Sequence, residues 1–544
     1  MSEEVYRVSG NIVDVLNSAI YAGTLVIKNG RIVDINKEYS RCSSYIVPGL
    51  VDSHVHIESS MLVPSEFARI AVGHGTVAAV ADPHEIANVM GIEGVDFMIG
   101  NSKKQSFKFY FGAPSCVPAT RFETSGGTIG VKEVEDLLAR DEIKFLGEVM
   151  NYTAVINEDR DVMAKIALAK QFRKCVDGHA PGLRGDALSK YIDAGVTTDH
   201  EAGDREEARE KLKRGMKIQI REGSAAKNFD DLIVLLRENH RGCMFCSDDM
   251  HPDDLVKGHI NEHVRRALER RIDPLKVFRC ASVNPVKHYG LGVGLLQKGD
   301  PADFLVVDNL ENFSIRQTYI NGELVAENGE TFFVSLPSTA PNNFNVTAKN
   351  ADDFTVRASG WMANVIQVLD GSLTTGKLRA SPYINGGFAR SDPQRDILKL
   401  VVINRYYDAP PAVAFVKNFG LKKGAIASSV SHDSHNIICV GVSDEDIKRA
   451  VNLVIENGGG IAAACSEFME CLSLPIAGLM SGRDGFEVAK KYRQLDGLAK
   501  TLGTSLRAPF MMLSFMSLLV MPQLKLSNLG LIDTSKFEFI SLFE

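Results

Sequence analysis

This sequence has very little tryptophan and no excess of positive charge. Its 544 residues include one tryptophan, and 61 Lys and Arg residues stand against 68 Asp and Glu residues. The formal net charge is -7 at pH 7. Nucleic acids and anionic membranes attract clustered positive charge, so neither is expected as a partner.

The sequence also lacks an apolar run long enough to cross a membrane. The longest, residues 509–521, is interrupted by serines and falls short of the ~20 residues that span a bilayer. We interpret it as core or as a subunit interface, and apolar stretches of this kind suggest a homo-oligomer, with a dimer expected. The opening residues, Met-Ser-Glu-Glu, do not resemble an export signal, so we expect a cytoplasmic protein.

The nine cysteines include a single C-x-x-C pair, Cys243 and Cys246. On a strand their sulfur atoms would point to opposite faces, which suits neither a disulfide nor a shared metal ion. A four-cysteine zinc site would need a second pair. We therefore expect reduced thiols that are buried as small hydrophobic groups.

What the sequence does contain is an alternation of strand and helix patterns through its middle. The eight candidate strands are residues 47–56, 76–82, 107–113, 145–150, 176–180, 197–202, 217–222 and 243–248. Eight βα repeats in about 240 residues match the size of a (β/α)8 barrel. The predicted fold class is α/β, with this barrel over residues 46–290.

Two β segments flank the barrel, and a further segment follows them. Residues 1–45 and 291–335 each contain strands around an Asn-Gly dipeptide, which is a strong hairpin signal. We predict that they pair into one small β-sandwich domain. After a linker rich in Pro, Ser and Asn, residues 340–544 are predicted to form an additional α+β C-terminal domain.

Metal-binding residue types recur at the ends of the candidate strands. His54 and His56 lie one residue apart on the first strand, so their side chains share a face with Asp52. Other strand ends provide Asp82, His84, Glu85, Glu148, His179, His200, Glu201, Arg221, Glu222, Asp248 and Asp249. Helix capping would explain Glu85 or Asp249 but not four histidines. Because active sites of such barrels lie at these strand ends, a metal site is predicted there.

Six of these side chains are enough to hold two divalent metal ions. They are His54, His56, Glu148, His179, His200 and Asp248. Two ions ~3.5–4 Å apart lower the pKa of a shared water toward ~7, and a carboxylate on the fourth strand suits a bridging ligand. Asp248 is the expected general base. The mixed nitrogen and oxygen set suits Zn, Mn or Fe without selecting among them.

These motifs resemble the amidohydrolase superfamily and, within it, the adenine deaminase family. The broader resemblance rests on the Pro-Gly-Leu-Val-Asp-x-His-x-His run that ends at His56, on the later histidines and on Asp248. The narrower one rests on residues 56–61, 82–89, 147–151, 177–181 and 431–436. Many superfamily members have a carboxylated lysine on the fourth strand, whereas Glu148 stands there, as in adenine deaminases.

The resemblance implies that a metal-activated hydroxide deaminates adenine to hypoxanthine and ammonia in purine salvage. It favours Mn or Fe as the ions, with Zn as the alternative. Asp248 would move the water proton toward the leaving amino group. Glu58 is the first candidate for the acid that protonates purine N1, ahead of Glu85 and Glu201, and its alternative role is to orient His56. Asp249 resembles a residue that holds purine N7 in related nucleoside deaminases, or else it caps a turn.

The segment 431–436 contains His432, Asp433 and His435. We interpret it as a lid over the barrel mouth that contacts the substrate. An extra metal site and a purely structural polar turn are the alternatives. His84 is likewise expected either to face the substrate or to bond a backbone carbonyl.

Two other functions stay open from the residues. An amidohydrolase that acts on a cyclic amide would be expected to have lysine in place of Glu148 and to lack the 431–436 motif. A non-catalytic scaffold relative would be expected to have lost metal ligands, whereas all six are present.

Overall fold

The structure is a computed structural model that describes residues 5–38 and 43–543. Residues 1–4, 39–42 and 544 lie outside the described residues, and so do the parts of the predicted β unit and C-terminal domain that fall on them. The first four strands are β1 (Val5–Asp14), β2 (Ala19–Lys28), β3 (Arg31–Lys37) and β4 (Tyr45–Pro48). β1 to β3 form an antiparallel meander. Its Asn29-Gly30 turn has φ values of 50° and 75°, as a two-residue hairpin loop requires.

Eight strands follow that belong to the barrel. They are β5 (Leu50–Val55), β6 (Thr76–Ala81), β7 (Lys108–Ala113), β8 (Ile143–Val149), β9 (Cys175–Gly178), β10 (Thr198–Asp199), β11 (Lys217–Arg221) and β12 (Cys243–Cys246). The predicted strand 47–56 is therefore two strands, of which β4 belongs to another sheet. Pro48-Gly49 separates them, since proline cannot donate a ladder hydrogen bond.

The barrel strands form a closed parallel ring. β5 to β9 pair in one run and β10 to β12 in another. Backbone bonds join the two runs at both seams: the Asp248 amide donates to the His54 carbonyl at 3.0 Å, and the Thr197 amide to the Val176 carbonyl at 2.9 Å. The α/β class and the barrel-like curling of eight parallel strands agree with the sequence-based prediction.

Helices connect the barrel strands and pack against them. They are α1 (Pro64–Ala71), α2 (His84–Met90), α3 (Ile92–Ser102), α4 (Val131–Leu138), α5 (Tyr152–Ile156), α6 (Arg160–Gln171), α7 (Gly185–Ala194), α8 (Arg205–Lys213), α9 (Phe229–Leu232), α10 (Leu235–Asn239), α11 (Pro252–Leu255), α12 (Ile260–Glu269), α13 (Pro274–Phe278) and α14 (Asn284–Tyr289). Short 3-10 turns lie at Ile57–Ser60, Val72–His74 and His240–Gly242, and a π-helical turn lies at Arg279–Val283.

The chain returns to the first sheet after the barrel. The returning strands are β13 (Phe304–Val307), β14 (Ile315–Ile320), β15 (Glu323–Glu327) and β16 (Glu330–Thr331). β13 pairs antiparallel with β4, which itself pairs parallel with β1. Strands from both sides of the barrel thus form one eight-stranded sheet around a core that includes Ile12, Ile46 and Phe304.

The C-terminal part contains a second eight-stranded sheet. Its strands and those of two small sheets are β17 (Val356–Arg357), β18 (Ala363–Gln367), β19 (Gly376–Ala380), β20 (Tyr383–Asn385), β21 (Phe388–Arg390), β22 (Ile397–Ile403), β23 (Ala412–Lys417), β24 (Ala425–Ser428), β25 (Ile437–Gly441), β26 (Gly460–Ala464), β27 (Met469–Ser473), β28 (Leu524–Ser527), β29 (Gly530–Asp533) and β30 (Glu538–Phe539). The large sheet has the order β19-β18-β23-β22-β25-β24-β26-β27.

Three helices and two 3-10 turns complete this part. They are α15 (Asp444–Glu456), α16 (Gly485–Thr501) and α17 (Pro509–Ser514), with the turns at Ala351–Phe354 and Phe515–Ser517. α15 packs on the large sheet through Ile447, Val451 and Val454. The apolar run 509–521 is buried within the chain, with Met512 and Leu513 fully enclosed. This run is therefore part of the core, which is one of the two roles predicted for it.

The C-terminal part lies directly against the barrel. The Ser481 amide donates to the Met61 carbonyl at 2.8 Å, and Tyr492 on α16 bonds His251 at 2.5 Å. All eight cysteines of the described residues are unpaired, and Cys243 and Cys246 are buried as expected. No helix among the described residues is long and apolar enough to cross a membrane.

One buried lysine ties α8 to the end of β10. Lys211 Nζ donates to the Ala180 carbonyl at 2.7 Å, to Asp199 Oδ2 at 2.9 Å and to Glu207 Oε1 at 2.6 Å. All three side chains are buried. Since Asp199 precedes His200, this cluster fixes the backbone from which a predicted metal ligand projects.

Lys211→Met is expected to lower the free energy of unfolding by about 3–5 kcal/mol, because it leaves two carboxylates buried without their cation. Lys213→Met, at an exposed position of the same helix, is expected to change it by less than about 0.5 kcal/mol. Urea unfolding of both variants measures the difference. Equal stabilities would show that the cluster does not hold α8 in place.

Candidate metal centre

The predicted ligands of the first and eighth strands meet at one point. The Nε2 atoms of His54 and His56 lie 3.2 Å apart. Asp248 Oδ1 lies 3.6 Å from the first and 3.3 Å from the second. All three side chains are buried. Asp52, predicted to share their face, instead bonds Ser247 and His259.

These spacings match atoms that share one metal ion. Ligand atoms ~2.0–2.1 Å from a tetrahedral ion lie about 3.3 Å from one another. The ligand atoms of His54, His56 and Asp248 all lie within 4.8 Å of one another, as do those of His54, Glu148 and His200. Among the described residues, His179 Nε2 is buried with no hydrogen-bond partner. The donor set therefore fits divalent cations.

Glu148, at the end of β8, joins the two groups. Its Oε1 lies 3.2 Å from His56 Nε2. Its Oε2 lies 2.9 Å from His179 Nδ1 and 3.2 Å from His200 Nε2. Burial alone would raise the pKa of Glu148, but the neighbouring histidines hold it well below its ordinary value. This carboxylate is thus an ionised group shared by three histidines.

Arg221, at the end of β11, fixes the orientation of Asp248. Its Nη1 lies 2.5 Å from Asp248 Oδ2, and its guanidinium also bonds both oxygens of Glu201. Burial raises the pKa of Asp248, but the charge of Arg221 leads the effects that hold it well below its ordinary value. The sequence placed Arg221 at a strand end without a role. The signal for such a role is that its strand end lies between two others that carry acidic residues, Glu201 and Asp248.

Two aspartates support the ligands from behind. Asp82 Oδ2 accepts from the Glu148 amide at 2.8 Å. Asp177 lies 3.9 Å from His54 Nδ1 and accepts from the Tyr289 hydroxyl at 2.9 Å. Such partners orient metal-binding side chains. Neither aspartate was predicted to support a ligand, although each lies within two residues of a predicted site residue.

The 431–436 segment reaches the barrel mouth. It lies in the buried loop between β24 and β25. His432 Nδ1 bonds one oxygen of Glu85, and His435 Nε2 bonds the other. The C-terminal part therefore contacts α2 of the barrel at the candidate site, as the lid interpretation expects.

His84 lies among carboxylates. Its Nδ1 is 3.6 Å from Asp82 Oδ1, and its Nε2 is 3.5 Å from Glu85 Oε1 and 3.8 Å from Asp433 Oδ1. The desolvation of its ring lowers its pKa, but these acidic neighbours raise it well above the ordinary value. His84 therefore lies in the candidate site, and its contact with a substrate stays a prediction.

Two carboxyl groups near the ligands have raised pKa values. Glu58 Oε1 accepts from the Ile86 amide at 3.1 Å, whereas its Oε2 is buried with no partner among the described residues. Burial raises the pKa of Glu58 to about 7. Asp249 accepts from the Ser59 hydroxyl at 2.5 Å, and burial beside Asp248 raises its pKa.

The cavity between these groups is small. Its volume is about 20 Å³, and its apolar wall consists of Met150, Leu373 and Leu518. A cavity of this size holds about one water. Sites for small organic ligands are usually ~300–1,000 Å³. A flat heterocycle therefore does not fit unless side chains that line the cavity move.

Comparison with known proteins identifies related chains. Residues 45–325 match the amidohydrolase family, and residues 372–538 match the adenine deaminase C-terminal domain. The chain is 55% identical to an adenine deaminase of Sulfurovum sp. (strain NBC37-1), over 98% of this chain and 99% of the relative. It is 52% identical to adenine deaminases of Methanosarcina mazei, over 98% and 99% of the two chains, and of Salinibacter ruber, over 99% of each.

A buried lysine supports the apolar wall from the C-terminal part. Lys525 Nζ donates to the Leu373 carbonyl at 2.7 Å and to the Phe515 carbonyl at 2.8 Å. A neutral amine has two N–H donors, and these two acceptors use both. Burial lowers the pKa of Lys525 to about 7. The fold thus favours the uncharged lysine.

The stability of the protein relative to Lys525→Met is therefore expected to rise with pH. An unfolded lysine titrates near ~10.4, so between pH 7 and that value the unfolded state binds the extra proton. The gain between pH 7 and 9.5 should approach about 3 kcal/mol in urea unfolding. Lys536→Met, at an exposed position, is the control. A pH-independent difference for Lys525→Met would contradict the neutral form.

Proposed function

This chain belongs to the adenine deaminases of the amidohydrolase family, and from this membership we propose that it hydrolyses adenine to hypoxanthine and ammonia in purine salvage. The observation that supports the proposal most directly is the convergence of the six predicted ligands: three histidines surround Glu148, and Asp248 lies beside His54 and His56. A barrel that had become a scaffold would have no need to keep such a costly cluster of buried charge.

Glu148 and the 431–436 segment favour adenine over a cyclic amide as the substrate. The glutamate stands where the cyclic-amide alternative expects lysine. His432 and His435 of the segment bond Glu85 at the mouth of the barrel. Both features that separate the two hypotheses therefore lie in the candidate site.

We assign the two cation sites to the six residues predicted from the sequence. They are His54, His56, Glu148, His179, His200 and Asp248, and Glu148 is the carboxylate that would be shared between the two ions. Bound divalent cations lower the pKa of a shared water toward ~7 and polarise the group under attack. Mn or Fe are the ions we propose from the family resemblance, with Zn as the alternative, because a mixed nitrogen and oxygen set suits all three.

Asp248 is the proposed general base. Its Oδ1 faces the paired histidines, while Arg221 holds Oδ2. The carboxylate is ionised and is therefore ready to accept the proton of the attacking water. As the C6–O bond forms and the C6–N bond breaks, Asp248 passes this proton to the amino nitrogen, which leaves as ammonia.

Glu58 is the proposed acid for purine N1. Its Oε2 is buried and has no partner among the described residues, and burial raises its pKa to about 7, so the group can hold a proton and release it near neutral pH. Glu85 and Glu201 suit this role less well, because histidines occupy both oxygens of the first and Arg221 occupies both oxygens of the second. Protonation of N1 neutralises the charge that develops as water adds to C6. The second proton of the water leaves the C6 oxygen as the carbonyl of hypoxanthine forms, and it restores the protonated form of Glu58.

The remaining polar groups are proposed to hold the purine. Asp249 lies 3.9 Å from His432 Nε2, and burial beside Asp248 shifts its pKa toward the protonated form, which is the form that a hydrogen bond to N7 requires. Glu85 positions His432 and His435 by bonding both rings. His84 and Asp433 line the same cavity.

Three broader expectations stay proposals. The chain is divided into a small β-sandwich domain (1–45 and 291–335), a barrel (46–290) and a C-terminal α+β domain (340–544). The protein forms a dimer. It acts in the cytoplasm. Since residues 509–521 are buried within the chain, another surface would have to form the dimer.

The direct test is to incubate adenine with metal-loaded protein and to follow its ultraviolet spectrum together with ammonia release. We expect conversion to hypoxanthine, one ammonia for each adenine, and loss of activity after chelation. Turnover of a cyclic amide without any change in adenine would favour the second hypothesis. Protein that binds no metal would favour the scaffold.

Asp248→Asn is expected to lower kcat by about 10²–10⁴-fold, because the amide cannot accept the water proton. The fold should be retained, and metal analysis of the same sample separates loss of the base from loss of an ion. Glu222→Asn, at the end of the neighbouring strand, is the control. Near-normal kcat in the Asp248 variant would rule out its role as general base.

Glu148→Gln is expected to reduce metal content below two ions per chain, because a neutral amide bridges cations poorly. Elemental analysis after dialysis measures the content, with Glu222→Gln as the matched control outside the ligand set. Full occupancy by two ions in the Glu148 variant would reject the bridging role.

A further inference from the structure

The small catalytic cavity has one apolar side. Met150, Leu373 and Leu518 form it, whereas the other lining residues are the acidic groups and histidines described above. An aromatic heterocycle passes more easily between apolar side chains than through a network of buried charges, whose separation is costly. An opening is therefore expected on the apolar side of the cavity.

A second cavity lies behind Met150. Its volume is about 270 Å³, and Met150 lines both this cavity and the catalytic one. The barrel contributes the turn after β8, with Asn151 and Thr153. The C-terminal part contributes Val520 and Phe537. The cavity is therefore the space between the two parts of the chain, next to the catalytic site.

This second cavity opens into a surface cleft. The cleft has a volume of about 620 Å³ and shares Thr120, Asn151, Thr153 and Phe537 with it. Where the two meet, the ring of Phe537 stacks on that of Phe122, with centroids 6.3 Å apart. Aromatic faces of this kind attract nucleobases by stacking. The shared residues place the cleft and the second cavity in succession between solvent and Met150.

A compact apolar cluster interrupts the route at its inner end. Cys116, Ala119 and Met150 pack together, and Val520 packs against them. Methionine has three rotatable bonds and adapts to changes in its surroundings more readily than other apolar residues. Because Met150 lines both cavities, a rotation of its side chain is the movement that would join them.

We propose that adenine reaches the catalytic cavity, and that hypoxanthine leaves it, through this cleft, with Met150 and Val520 as the gate. The inference rests on the proposed function for the identity of the ligand. It assigns a role to the C-terminal part beyond the 431–436 segment: one wall of the access route comes from residues 520–537.

Val520→Trp tests the gate from the side opposite the metal ligands. The larger ring should narrow the aperture without touching the catalytic groups. A gate residue does not contact the bound ligand. A larger side chain at the gate therefore slows binding and release by the same factor and leaves Kd unchanged. We expect both rates for hypoxanthine to fall by about tenfold or more, with Kd altered by less than about twofold. Val33→Trp, on the exposed face of β3, is the control.

Stopped-flow absorbance of the metal-loaded protein with hypoxanthine gives the two rates, and equilibrium dialysis gives Kd. Unchanged rates in Val520→Trp would overturn the route while adenine turnover by the wild type still supports the proposed function. A weaker Kd with faster release would place Val520 in the binding site and would also overturn the gate. If the tryptophan variant does not fold, Ala119→Leu fills the same aperture from the barrel side and is held to the same outcomes.

Discussion

The contact of one carboxylate with histidines of three strands is the constraint on which the site depends. Glu148 faces His56 with one oxygen and His179 and His200 with the other. A buried carboxylate is stable only when positive charge or hydrogen-bond donors surround it. The barrel meets this requirement because strands that are far apart in sequence end at the same point. Two cations bound there would satisfy the carboxylate and the histidines together.

The second requirement is that this charged centre be closed to bulk water, and the C-terminal part meets it. Histidines of the 431–436 segment bond Glu85, which fixes that loop over the barrel mouth. Lys525 holds the backbone beside Leu373 and Phe515, so the apolar wall is supported from behind. Exclusion of water strengthens every charge interaction inside the site. The same closure leaves too little room for a purine, so substrate access and catalysis become linked through the movement of a few apolar side chains.

Much of the candidate site could be predicted from the sequence, because the carboxyl ends of the strands in a parallel barrel meet at one end of the barrel. That rule was enough to place His54, His56, Glu148 and Asp248 together before any distance was known. It did not give a role to Arg221 or Asp177, because their roles follow from distances of a few ångströms between particular strands. The bond between Glu85 and His432 joins residues 347 positions apart, and no local pattern specifies such a contact.

The predicted strand 47–56 shows the same limit at a smaller scale. Both of its halves contain apolar residues, such as Val47 and Val51, and yet β4 pairs with β13 while the following strand enters the barrel. The sequence pattern indicates that both halves are buried, but it does not indicate which sheet each half joins. Likewise, the apolar character of residues 509–521 did not distinguish a core from a subunit interface.

The most direct test of the central claim is anomalous diffraction from crystals of the protein grown with Mn²⁺. The account predicts two ions per chain, ~3.5–4 Å apart, with the Glu148 carboxylate between them and the five other ligands around them. A single ion, ions bound elsewhere, or a Glu148 side chain that touches neither ion would contradict it.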